Sequence, residues 1–94
     1  MAEFIYLIHP LRHAYFNSPT AREEQVMDEH YAYLKAGTER GIVQLAGPCT
    51  DETFEIVVLS VVDEKMAREF MLNDPAVKSN VMMAELHPMR ILLS

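Results

Sequence analysis

Two residues far apart in the chain, His30 and Asp74, are of the types that move protons. An imidazole changes charge near neutral pH. A neighbouring carboxylate orients the ring and raises its pKa, whereas burial lowers it. Together they form a general acid or base with an orienting partner, suited to shifting a proton on a small organic substrate. His30 is singled out by its surroundings. Counting from Val26, it falls at about 40° around a helix, with Gly37 at about 20° and Leu34 at about 80°. Met27 and Tyr33 flank that stripe, and Glu24, Asp28 and Lys35 lie opposite. A polar group on a core-facing stripe costs roughly 1–3 kcal/mol unless it finds a partner. His30 is therefore either a structural histidine bonded to a backbone carbonyl or the working part of a site. Asp74 stands before Pro75 and is also an ordinary helix cap.

The elements that must carry this pair are readable along the chain. Glu3 to His9 is a β-branched and aromatic run ending at Pro10, which predicts a strand buried on both faces. Thr20 and Glu23 have capping-box spacing, and the helical pattern then continues to Arg40, where Gly41 stops it. Ile42 to Ala46 reads as a second strand, Gly47-Pro48 as a turn or bend, Cys49 to Thr53 as a hairpin loop and Phe54 to Val62 as a third strand. Asp63 caps a second helix whose apolar stripe is Met66, Ala67, Phe70 and Met71. Asp74 and Pro75 then open a short turn over Ala76 to Asn80, and Met82 to Leu93 is the last strand. Pro88 lacks an amide hydrogen, so that strand belongs at a sheet edge or carries a bulge.

The order strand, helix, strand, strand, helix, strand predicts an α+β fold, the ferredoxin-like βαββαβ arrangement with an antiparallel four-stranded sheet. Both helices then lie on one sheet face, which lets His30 and Asp74 approach each other. The first and third strands are apolar on both faces, and two helices cover only one. A second copy packed sheet to sheet is the economical cover, so a homodimer through facing sheets is expected.

With 94 residues, half of them apolar, the chain reads as a single domain, residues 1–94, with one core. A net charge of -6 without a lysine or arginine cluster argues against nucleic acid and against an anionic membrane surface. Apolar stretches fall far short of the ~20 residues that span a bilayer. Cys49 is alone, so no internal disulfide forms, and the N-terminus shows no leader; a soluble, cytoplasmic protein is expected. Nothing around Cys49 marks it as an activated nucleophile.

Further candidates surround the pair. His9 ends the first strand and lines a cleft mouth or is exposed; Arg12 and Arg22 are anion contacts or solvated charges. Tyr33, with Tyr6 and Phe16, supplies apolar walls, and the Gly47-Pro48 bend lets a ligand approach the backbone. His13 reads as a loop residue and His87 as an edge-strand surface residue. His9, His30 and His87 lack the spacing of a metal site, so neither a metal nor another cofactor is expected.

The opening strand Phe4 to Ile8, Glu29-His30 with Tyr33-Leu34, the Gly41 stop, Ala46-Gly47-Pro48, Ile56 to Val62 and Asn73-Asp74-Pro75-Ala76-Val77 occur in an order that resembles the YCII-related family. That resemblance covers nearly the whole chain. It implies a ferredoxin-like dimeric α/β barrel with facing sheets and a cleft in which His30 and Asp74 form the site. Relatives of similar fold include muconolactone isomerases and a dehydrochlorinase acting on chlorinated aromatic rings. The segment Pro10 to Pro19 is longer than the compact family pattern, and its Arg12, His13, Tyr15 and Phe16 shape or cap the cleft. The expected activity is proton transfer of lyase or isomerase type on a small cyclic or unsaturated acid or phenol. The alternatives are a metabolite-binding or accessory module and a purely structural dimer subunit.

Overall fold

A computed structural model describes residues 1–94. The chain forms β1 (Ala2–Pro10), a short 3-10 turn (His13–Tyr15), α1 (Ala21–Glu39), β2 (Val43–Pro48), β3 (Glu55–Val61), α2 (Glu64–Asn73), α3 (Pro75–Lys78) and β4 (Met82–Met89). The strands make one four-stranded sheet in the order β2-β3-β1-β4, and every neighbouring pair is antiparallel. This is the ferredoxin-like α+β fold, with β1 and β3 central and β4 at an edge. No helix is long and apolar enough to cross a membrane.

The helices begin where their side chains satisfy free amides. At the start of α1, Thr20 Oγ1 accepts from the Glu23 N–H, and Glu23 reaches back to the Thr20 N–H. Asp63 caps α2 by accepting from the Met66 N–H at 2.9 Å. Gly41 follows α1 at φ 78°, a left-handed conformation that a Cβ disfavours.

One face of the sheet carries the core. Phe4, Tyr6 and Ile8 of β1 and Val57, Leu59 and Val61 of β3 are buried beneath the helices. They meet Val26 and Leu34 from α1 and Ala67, Phe70 and Met71 from α2. A Cβ on Gly37 would come within 2.8 Å of the Phe70 ring and 2.9 Å of Val43, so α1 packs at a distance that only glycine allows. Tyr33 stacks on Phe70 with centroids 4.6 Å apart, and its hydroxyl donates to the Phe70 carbonyl at 2.8 Å. Burying Phe70 contributes roughly 1.5–3 kcal/mol.

On the other face no helix covers Ile5 and Leu7 of β1, which stay half-buried. Two details correct the sequence reading. Gly47 and Pro48 are not a turn; they end β2, opposite Ile56 and Glu55. The last strand stops at Met89, not Leu93: its pairing with β1 runs from Pro10–Met82 to Glu3–Met89. Residues 89–94 instead border a shallow cavity with Leu45 and Val58.

Candidate functional site

His30 projects from the middle of α1 toward the end of α2, where Asp74 closes that helix and opens α3. The Nδ1–H of His30 donates to Asp74 Oδ1 at 2.7 Å. Asp74 is completely buried and accepts two further hydrogen bonds, from the Tyr6 hydroxyl to Oδ2 at 2.8 Å and from the Ala76 N–H to Oδ1 at 3.0 Å. The cap and the imidazole partner are therefore one residue. The hydrogen bond that starts α3 also holds the carboxylate still for His30.

The ring's second nitrogen meets a residue that the sequence reading missed. His30 Nε2–H donates to Glu55 Oε2 at 2.5 Å. Glu55 is the first residue of β3, and it pairs in register with Ile8 of β1 and Pro48 of β2. Strand alternation from Val57, Leu59 and Val61 places Glu55 on their helix-covered face. An acidic residue continuing that apolar alternation was the available signal, and it is the same kind of signal that marked His30.

Burial alone would push the His30 pKa down, but the hydrogen bonds and charges of Asp74 and Glu55 outweigh it and lift the value to about 9. At neutral pH the ring is an imidazolium donating from both nitrogens. Burial and the adjacent Asp74 charge push the Tyr6 hydroxyl far up, so it remains a donor. Tyr33 is raised to about 12, by burial first and by Asp74 second. No buried side-chain nitrogen or oxygen lacks a hydrogen-bond partner.

A cleft of about 780 Å³ opens beside this chain of groups, between α1 and the end of β2. His30, Glu55, Gly47, Pro48, Met27 and Leu34 line it. That volume suits a small organic ligand. A smaller cavity of about 210 Å³ shares Met27, Pro48 and Glu55 with it, and is walled by Tyr15, Phe16, Cys49, Phe54 and Met82. The segment after β1 and the β2–β3 loop thus close over Glu55 from two sides.

Of the residues expected near the site, the structure brings His30, Asp74, Gly47 and Pro48 together. Tyr33 instead supports Asp74's helix through Phe70. His9 packs its ring edge-on against Phe54 at 6.1 Å and, with Arg12, lines a shallow cavity that adjoins the smaller one at Phe16, Glu52 and Phe54. Arg12 is bound in a fork to Glu23, at 2.8 and 2.7 Å, and also to the Ser18 carbonyl. It pins the Pro10–Pro19 segment to the start of α1. The Arg12 guanidinium and the Thr20 amide hold Glu23 down at about 2. Arg22 donates to the Ser79 carbonyl at 2.7 Å. No group of three or more His, Cys, Asp or Glu side chains is arranged to hold a metal ion.

Comparison with known proteins agrees with the fold and places the chain. The family model described as YCII-related domain matches residues 3–89. The chain belongs to the YCII-related family. No curated protein matches its sequence. Among solved structures it is similar to 5-chloro-2-hydroxyhydroquinone dehydrochlorinase from Burkholderia phenoliruptrix in complex with 2,5-dihydroxybenzoquinone, with a TM-score of 0.68, 15% identity and 93% of each chain covered. At that identity the likeness concerns the fold.

Proposed function

We propose that this YCII-related protein is a small-molecule enzyme that transfers a proton, in lyase or isomerase chemistry, on a small cyclic or unsaturated acid or phenol. His30 is the proton-carrying group and Asp74 its orienting partner. The observation that carries this reading is the ring held at Nδ1 by a fully buried carboxylate while Nε2 faces the cleft through Glu55. An imidazolium there acts first as an acid and stabilises negative charge developing on a bound ring. The dehydrochlorinase of similar fold was solved with 2,5-dihydroxybenzoquinone, which supports a compact cyclic ligand. A homodimer through facing sheets fits the open face, where Ile5, Leu7 and Ile56 are only half-buried and Leu45 and Met83 are exposed. Its compartment in this reading is the cytoplasm.

The test is uptake of solvent deuterium into ring carbons of benzene-1,2,4-triol, followed by NMR without oxygen. The wild type accelerates exchange, and His30→Gln loses roughly 100-fold or more of the acceleration. No acceleration by the wild type, or full activity in a folded His30→Gln, would overturn the reading. One observation favours a non-catalytic binding module instead: both His30 nitrogens are already engaged, and the residue is only 3% exposed. In that case the triol binds and is recovered without deuterium.

A further inference from the structure

Glu55 stands where the cleft and the inner cavity meet, since it lines both. Its side chain is 18% exposed against 4% for His30 and 0% for Asp74, so it is the outermost of the three. One carboxylate oxygen, Oε2, takes the His30 N–H. Oε1 has no hydrogen-bond partner in the protein, and because no unpartnered side-chain oxygen is buried, it is accessible from outside, on a residue that lines both spaces. A ligand entering from either side meets this acceptor before it meets the imidazole.

Charge then restricts what the ligand can be. No lysine or arginine lines the inner cavity, which is bordered by Glu52 and Glu55. The outer cleft is lined by one lysine, Lys35, and by Glu39 and Glu55. Arg12, the cation nearest in sequence to these walls, is committed to Glu23. The His30 imidazolium is already shared between two carboxylates. A ligand carboxylate in the inner cavity would face Glu52 and Glu55 with no lysine or arginine on the walls to offset it. A hydroxyl presents the donor that Oε1 lacks, and Met27, Phe16 and Met82 offer apolar walls to a ring.

We propose that Glu55 is the residue that meets the ligand, and that the ligand is an uncharged ring bearing hydroxyl groups rather than a carboxylic acid. This rests on the acid–base reading of the site and narrows its substrate class. In the step it implies, the ligand O–H bond breaks and an O–H bond forms at Glu55 Oε1. The electron pair stays on the ligand oxygen, whose charge replaces that of Glu55 beside the imidazolium. The number of charges in the site is unchanged, and the proton returns when product leaves.

The experiment is an NMR titration of the whole protein at pH 7 with hydroquinone and, separately, benzoate. Hydroquinone is expected to bind at least about tenfold more tightly, shifting the Gly47 and Glu55 amides. Glu55→Gln, which removes the charge and keeps the shape, is expected to shrink that preference to about threefold or less. Equal or tighter binding of benzoate to the wild type overturns the proposal, as does binding of neither probe at tens of millimolar. So does a preference unchanged in Glu55→Gln. The deuterium-exchange assay separates the two readings. His30-dependent exchange with a Glu55-independent preference leaves the acid–base reading standing and removes this one. A Glu55-dependent preference without any exchange keeps the ligand assignment and overturns the acid–base reading together with the proton step at Glu55.

Discussion

Three ion pairs tie distant segments to α1, and two of them, equal in distance, differ in nearly everything else. Arg12 and Glu23 meet at 2.7 Å at the start of the helix, with the Arg12 side chain 40% exposed. His30 and Asp74 meet at 2.7 Å in its middle, with side chains 4% and 0% exposed. The first joins a permanent cation to a carboxylate already serving as a helix cap, and its effect is to fasten a loop. The second places a titratable ring between two carboxylates at the wall of a cavity. Proximity of opposite charges does not distinguish a site from a fastening. Burial of both partners and titratability near neutral pH do.

The largest expected difference between the two pairs is in stability. Asp74→Ala removes the acceptor of Tyr6, His30 and Ala76 from a fully enclosed position and is expected to cost about 3–5 kcal/mol in urea denaturation. Comparable losses from Arg12→Ala would break the contrast.

The second difference is in pH response. His30 rises from 6.5 to about 9 on folding, so its contribution, about 3 kcal/mol, is fully present below pH 6.5 and is lost as pH rises toward 9. Glu23 is lowered from 4.5 to about 2, so its contribution is present above pH 4.5 and disappears as pH falls toward 2. Denaturation curves of wild type and His30→Gln should therefore converge on the alkaline side, and those of wild type and Glu23→Gln on the acid side.

A smaller effect sharpens the role of Tyr6. Tyr6→Phe leaves the ring packing intact but removes one donor from buried Asp74, with an expected cost of about 1–2 kcal/mol by the same denaturation assay. The smallest effect belongs to Arg12→Ala, which breaks a solvent-screened pair and is expected to move the denaturation midpoint least, with no change in the His30 titration. A shift in that titration would show that the two pairs communicate.

The fold was legible because its elements carry local signals. Thr20, Asp63 and Asp74 announce helix starts, Gly41 a helix end and Pro88 an edge strand. His30 was legible as a polar interruption of an apolar stripe, and its approach to Asp74 followed from both helices lying on one sheet face. Glu55 was equally an interruption, of a strand rather than a helix, but one at the strand's first residue, where alternation is weakest. Arg12, His9 and Tyr33 were harder to place because their partners, Glu23, Phe54 and Phe70, depend on side-chain directions that spacing does not encode. The end of β4 was illegible for a different reason: Ile91 to Leu93 suit a strand by composition, yet the pairing with β1 stops at Met89, and composition does not encode where a strand leaves its partner.

The measurement that bears most directly on the buried, doubly bonded imidazolium is the NMR titration of the His30 ring in wild type and in Asp74→Asn. The account predicts a midpoint of about 9 in the wild type, well above 6.5, and a clear fall when the Asp74 charge is removed. A wild-type midpoint at or below 6.5, or a midpoint that Asp74→Asn leaves in place, would contradict it.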